Sequence, residues 1–185
     1  MGGTLMISGN MRVLARTSAS ASSVNFNSSN MNGCTIFCIQ YTYYCGGSPT
    51  GGSQNMQVTL NGDGSNYLQG RHMFNYNDSS GSSTNLWWDV DEASSGYILG
   101  AATGQPNAAD GVSGELWVKS NMRDSSWAMM YQRNVCWDTN NNLSANGGTI
   151  SWSGSSGGNQ ITSILFTAAS ATIIGFNAIL WGGVD

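Results

Sequence analysis

The sequence predicts an all-β protein, an antiparallel β-sandwich of jelly-roll-like type, and three observations carry that reading. Glycine, serine and asparagine together supply 72 of the 185 residues. These types favour turns and disfavour helix interiors, which excludes a helical bundle. Turn signals recur at short intervals, at Ser8-Gly9-Asn10, Asn32-Gly33, 46–49, 51–52, Asn61-Gly62-Asp63-Gly64, 79–81, 104–106, 140–142, Asn146-Gly147-Gly148 and 154–158, the punctuation expected of a sandwich or barrel. Between them lie eleven runs rich in Val, Ile, Thr and aromatic residues, at 12–17, 35–44, 56–60, 67–76, 86–90, 96–101, 114–120, 127–137, 149–152, 161–167 and 172–181. That number suits two packed antiparallel sheets.

Along the chain, residues 1–10 form an arm ahead of a single domain, 11–185. Leu5, Met6 and Ile7 lie between glycines in that arm, and as a docking strand they would add backbone hydrogen bonds to a partner's sheet edge. Asn61-Gly62, followed by Asp63-Gly64, predicts a tight hairpin, because a two-residue connection needs positive φ that Asn and Gly tolerate. The adjacent Trp87 and Trp88 must face opposite sides of a strand, which exposes one of them. In the final run Ile174, Phe176, Ala178 and Leu180 share one face, and Ile173, Gly175, Asn177 and Ile179 the other. Apolar residues on both faces imply a central strand or one covered by a neighbouring subunit. Ile173, Ile179 and Trp181 are therefore the expected subunit contact. The same region is interrupted by Thr167, Ser170, Thr172, Gly175 and Asn177, so it reads as strands and not as a membrane span.

Charge excludes further classes. Charged residues make up 9% of the chain and the formal net charge is -4, so solubility rests on small polar side chains. The six cations, Arg12, Arg16, Arg71, Lys119, Arg123 and Arg133, are scattered. Sequence-independent phosphate binding needs a basic stripe, and nucleic acid is not an expected partner. Apolar residues at 40%, with 7 Trp, 7 Tyr and 5 Phe, supply ample area for a core and argue against disorder. The opening residues match neither a secretory signal nor a myristoylation motif.

The residues able to carry chemistry are few. Cys34, Cys38, Cys45 and Cys136 lack Cys-x-x-Cys spacing, and His72 is the single histidine, so zinc is not expected. Cys34 and Cys38, four apart in an apparent strand, share a face but stand about 13 Å apart, too far to bridge. The four read as buried thiols, with a long-range Cys45–Cys136 disulfide as the alternative. Asp89, Asp91 and Glu92 form the densest carboxylate group. They read as a solvated strand end, with a hard-cation site or a glycosidase acid–base pair as the sharper options. His72 lacks the flanks of a catalytic triad, and there is neither a nucleophile elbow nor a phosphate loop. No cofactor and no enzymatic activity are expected. Trp87 and Trp88, beside Asp89, Asp91 and the asparagines at 140–142, are a candidate surface for stacking on sugar rings. Burial in the core and at subunit interfaces is the competing role for the aromatics.

Three stretches, 12–26 (RVLARTSASASSVNF), 111–118 (GVSGELWV) and 161–176 (ITSILFTAASATIIGF), the last followed by Leu180-Trp181-Gly182, carry a family likeness. The order of leading strand, Ser/Ala-rich step, mid-chain Ser-Gly-x-Leu strand and closing hairpin resembles tailed-bacteriophage virion proteins of marine and cyanobacterial phage type. The resemblance spans the chain, and residues 34–45 depart from it by carrying cysteines where acidic, Asn and Val residues are usual. It implies a virion protein, made in the host cytoplasm, that decorates the capsid or sits on the head or tail surface. Other virion proteins and its own copies, as a homotrimer, would be its partners, with no membrane insertion. A module recognising host polysaccharide is the alternative.

Overall fold

A computed structural model describes residues 11–21, 23–31, 33–46, 56–77, 82–83, 87–93, 96–98, 111–119, 128–137, 142–153, 160–168 and 172–184. Strands β1 (Arg12–Ala21) and β2 (Ser23–Phe26) precede a single helical turn, α1 (Ser28–Met31). There follow β3 (Ile36–Gly46), β4 (Met56–Leu60), β5 (Tyr67–Asn77), β6 (Ser82–Ser83), β7 (Trp87–Ala93), β8 (Gly96–Ile98) and β9 (Val112–Lys119). The chain closes with β10 (Ala128–Trp137), β11 (Asn142–Trp152), β12 (Ile164–Ala168) and β13 (Thr172–Gly183). Each of the eleven expected runs falls on a strand; β2 and β6 are additional.

The fold is an all-β sandwich of antiparallel sheets. A nine-stranded sheet has the order β1-β13-β3-β9-β10-β11-β5-β6, with β7 also paired to β5, and a four-stranded sheet has the order β2-β12-β4-β8. The first strand pairs with the last in one sheet and β2 pairs with β12 in the other, while β3 and β4 return beside β13 and β12. Both chain ends thus alternate between sheets as they wind inward, in jelly-roll fashion. Strand β13 lies between β1 and β3, a central strand.

The core forms between the sheets because inward positions alternate along every strand. Val24, Phe26, Met56, Val58, Leu60, Ile164 and Phe166 of the small sheet meet Phe37, Ile39, Tyr43, Leu116, Phe176 and Leu180 of the large one, all buried. Phe166 is the hub: its ring centroid lies 5.3 Å from Phe176, 6.3 Å from Tyr41 and 6.3 Å, edge-on, from Phe26. Towards β5 the same inner face becomes polar, with Gln69, Gln132, Asn134 and Asn146 buried.

Four local readings are corrected. Asn61 (φ 53) and Gly62 (φ 70) do make a turn, but it joins β4 of the small sheet to β5 of the large one, so it is a crossover and not a hairpin. The side chain of Asn61 decides this: its Oδ1 accepts from Thr162 N (2.7 Å) and Ser163 N (3.1 Å), and its Nδ2 donates to Gln160 O (2.8 Å). Those bonds tie the turn to the segment entering β12. Asn146-Gly147-Gly148 is no turn but the middle of β11, where Asn146 Nδ2 donates to Asn134 Oδ1 at 3.0 Å and the glycines face Arg133 and Gln132. Cys34 and Cys38 do not share a face, because β3 begins only at Ile36; Cys34 N donates to Met31 O in the preceding turn and its thiol joins the core. Nor do Cys45 and Cys136 pair. Cys136 lies opposite Val112 and Cys45 opposite Ile173, so β9 separates their strands, roughly 10 Å at the usual strand spacing, beyond disulfide reach.

Candidate functional site

The inner face of the large sheet is consumed by the core, so the surface it offers is the outer one. Antiparallel pairing aligns residues in rows across the strands. One row runs Val13–Trp181–Cys38–Trp117–Tyr131–Thr149 across β1, β13, β3, β9, β10 and β11. Beside it runs Arg16–Ile179–Gln40–Glu115–Arg133–Gly147, and beyond that Ser18–Asn177–Thr42–Ser113–Val135–Ala145. The first row is aromatic, the second charged and amide-bearing, the third mostly small and polar.

The second row fixes the first. Trp117 Nε1 donates to Glu115 Oε1 at 2.9 Å, and the same oxygen lies 2.6 Å from Arg133 Nε. Trp181 Nε1 donates to Gln40 Oε1 at 3.1 Å. Each indole therefore reaches a side chain of the neighbouring row, which draws its ring along the sheet surface instead of letting it stand away. Both tryptophans are half-buried. Cys38, on the solvent side of the sheet between them, is only 3% exposed and stands outside the core cluster. Its neighbours on that face are the two indoles of its row and, along β3, Ile36 and Gln40. Burial, followed by the charge of Glu115, pushes its pKa up to about 12. The opposite pull comes from Arg133.

Tyr131 (45% exposed), Met129 (50%) and Val135 (46%) continue the face on β10. Because the third row is small, the surface dips there into two adjoining shallow hollows of about 470 and 500 Å³ that share Ser113, Gly114 and Glu115. A trough thus crosses the strands along the third row, with the charged row between it and the aromatic one. Thr42 Oγ1 and Ser113 Oγ, 3.3 Å apart, line its floor.

Of the residues singled out from the sequence, Ile179 and Trp181 belong to these rows, half-buried. Ile173 lies opposite Cys45 and Ala21 at the other end of β13. Trp87, Trp88, Asp89 and Asp91 lie on β7, opposite Met73, His72, Arg71 and Gln69; their side chains are outside the described residues, as are Leu5, Met6, Ile7 and residues 140–141. Among the described residues no group of three or more His, Cys, Asp or Glu side chains could hold a metal ion, and no helix is long and apolar enough to cross a membrane. Gln40, Glu115, Trp117 and Tyr131 were not singled out as a group. Period two already aligns Glu115 with Trp117, but their lining up with β3, β10 and β13 is a matter of register.

Comparison with protein-family models, curated proteins and solved structures finds no match to this chain.

Proposed function

We propose that the protein is a structural component of a bacteriophage particle, a surface module of capsid or tail that acts by binding and not by catalysis. The resemblance supplies the virion part of this reading, and what supports action by binding is the outer face of the nine-stranded sheet. It presents ordered aromatic and apolar side chains to solvent, and its one central carboxylate, Glu115, is already engaged by Trp117 and Arg133. Exposed apolar surface on a chain with so few charges marks a place of contact. In this reading residues 1–10, with Leu5, Met6 and Ile7, anchor the module to other virion proteins, and copies assemble as a homotrimer along β13, where Ile173, Ile179 and Trp181 lie. Immunogold labelling of particles with an antibody to this chain tests the location, and deleting residues 1–10 is expected to release the protein from particles. Undiminished incorporation of the deleted form would overturn the anchoring role. The reading in which host polysaccharide is the partner is favoured by a separate observation, the alignment of Trp181, Trp117 and Tyr131.

A further inference from the structure

The outer face of the large sheet has two rival partners, a second copy of the chain or a saccharide, and its chemistry separates them. Protein interfaces are enriched in Trp, Tyr, Met and Arg but depleted in Glu and other acidic groups at their cores. Here an Arg133–Glu115 pair and the amide of Gln40 lie beside the rings, and both indole N–H groups are already hydrogen-bonded within the chain. The rings consequently have their polar edges satisfied and their flat faces left to offer. Flat π faces held in place are suited to the C–H face of a pyranose, and a stiff two-torsion side chain loses little entropy on binding.

The spacing points the same way. Trp181 and Trp117 are separated by one strand, roughly 10 Å at the usual strand interval, about the length of a disaccharide in an extended chain. Tyr131 follows on the next strand in the same row. Beside this line the second row offers the side chains of Gln40 and Glu115 as polar partners, and the hydroxyls of Thr42 and Ser113 lie a further row away, about 13 Å along the strands from the rings. Glu115 neutralises Arg133 at the centre and the chain as a whole carries net charge -4, which disfavours a polyanion; Arg16 closes the same row at its β1 edge.

We infer that Trp181, Trp117 and Tyr131 form a binding platform for a neutral, β-linked polysaccharide running across the strands, with Gln40 and Glu115 positioning the indoles. The inference rests on the binding-face reading above and names its partner. It assigns Trp181 to the ligand, leaving the Ile173 end of β13 for contacts between subunits. It also moves the saccharide site from Trp87 and Trp88 to the middle of the sheet.

The test is native gel electrophoresis of the full chain through gels containing mixed-linkage β-glucan, hydroxyethyl cellulose or galactomannan, with alginate as the acidic comparison. Retardation by at least one neutral polymer is expected, little changed by added salt, and weakened about tenfold or more in Trp117→Ala or Trp181→Ala, the size typical of a lost aromatic anchor. Tyr131→Ala, on an exposed side chain, guards against a tryptophan variant that fails to fold. Glu115→Ala, which removes the acceptor of the Trp117 N–H, is expected to weaken retardation, and Glu115→Gln, which keeps an acceptor there, to restore most of it. Equal loss in both would mean that the carboxylate contacts the ligand directly. Retardation by alginate alone, or by none of the polymers, would overturn the inference. Sedimentation across a concentration series separates the rival: self-association that Trp117→Ala and Tyr131→Ala abolish would assign the face to a second copy, sinking the saccharide partner while sparing the binding face. Variants that alter neither behaviour would sink both.

Discussion

Cys38 shows how one side chain reports on the whole face. Its thiol is shielded on the solvent side of the sheet, and its raised pKa leaves little thiolate near neutrality. Alkylation by iodoacetamide at about pH 8 is expected to lag far behind that of an ordinary exposed cysteine. Trp117→Ala should speed modification at Cys38, read by peptide mass spectrometry, because the cover is removed; an unchanged rate would mean the ring does not lie over the thiol. Asp63 is the corresponding case at the β4–β5 crossover. Burial raises its pKa, but bonds from Ser65 N (3.0 Å), Ser65 Oγ (2.8 Å) and Trp152 Nε1 (3.0 Å) outweigh that, and the net shift is downward. A carboxylate whose pKa falls on folding contributes stability that is complete above the ordinary Asp range, about 3.9, and is lost as pH falls through the lowered value. Urea midpoints measured between about pH 6 and pH 2.5 should therefore fall more steeply for the wild type than for Asp63→Asn. Parallel profiles would show that the Asp63 contacts contribute nothing.

Among the strands, β9 depends most on a missing side chain. Gly114 lies opposite Tyr41 on β3 and Asn134 on β10. A Cβ there would come within 2.5 Å of Arg133 O and Asn134 Cβ and 2.7 Å of Tyr41 Oη. Two of those atoms belong to a neighbouring strand that cannot move without breaking its own ladder. Gly114→Ala is expected to destabilise the fold by about 1–3 kcal/mol, the usual cost of overpacking, visible as a lowered urea midpoint. The same change at Gly62 or Gly33 meets no atom within 4 Å and is disfavoured only by positive φ. Phe166 on β12 is the opposite case, a large ring at the centre of three others. Phe166→Ala should cost about 3–5 kcal/mol, and a smaller loss would show that the sheets close over the gap.

For the whole molecule, assembly is the decisive property. Light scattering of the purified chain is expected to give the mass of three copies of 19.5 kDa. With Trp181 and Trp117 given to the saccharide, their alanine variants should keep that mass while losing retardation in β-glucan gels. A wild-type mass near one copy at micromolar concentration would remove the homotrimer. Apolar residues on the second face of β13 would then need no explanation beyond their neighbours in the sheet: the strand is central, Asn177 is exposed, and Ile179 and Trp181 are half-covered without any subunit.

The local code of this chain determined a great deal. Glycine, serine and asparagine between β-branched and aromatic runs were enough to place eleven strands, and period two was enough to put Phe176, Ala178 and Leu180 on one face, which the packing of the sheets then made the core face. Both are properties of a few consecutive residues, which is what a sequence displays directly. It misread Asn61-Gly62 as a hairpin because backbone preference fixes the turn but not which sheet the next strand joins. Asn146-Gly147-Gly148 was misread because a turn-forming triplet is equally suited to lie opposite Asn134, Arg133 and Gln132, a fact about another strand. The platform belongs to the same class. Trp181, Trp117 and Tyr131 come from parts of the chain up to 64 positions apart, and only the antiparallel registers of β13, β3, β9 and β10 bring them into one line. Register is set by the packing of the whole core, since slipping a strand by one residue would turn its apolar face to water.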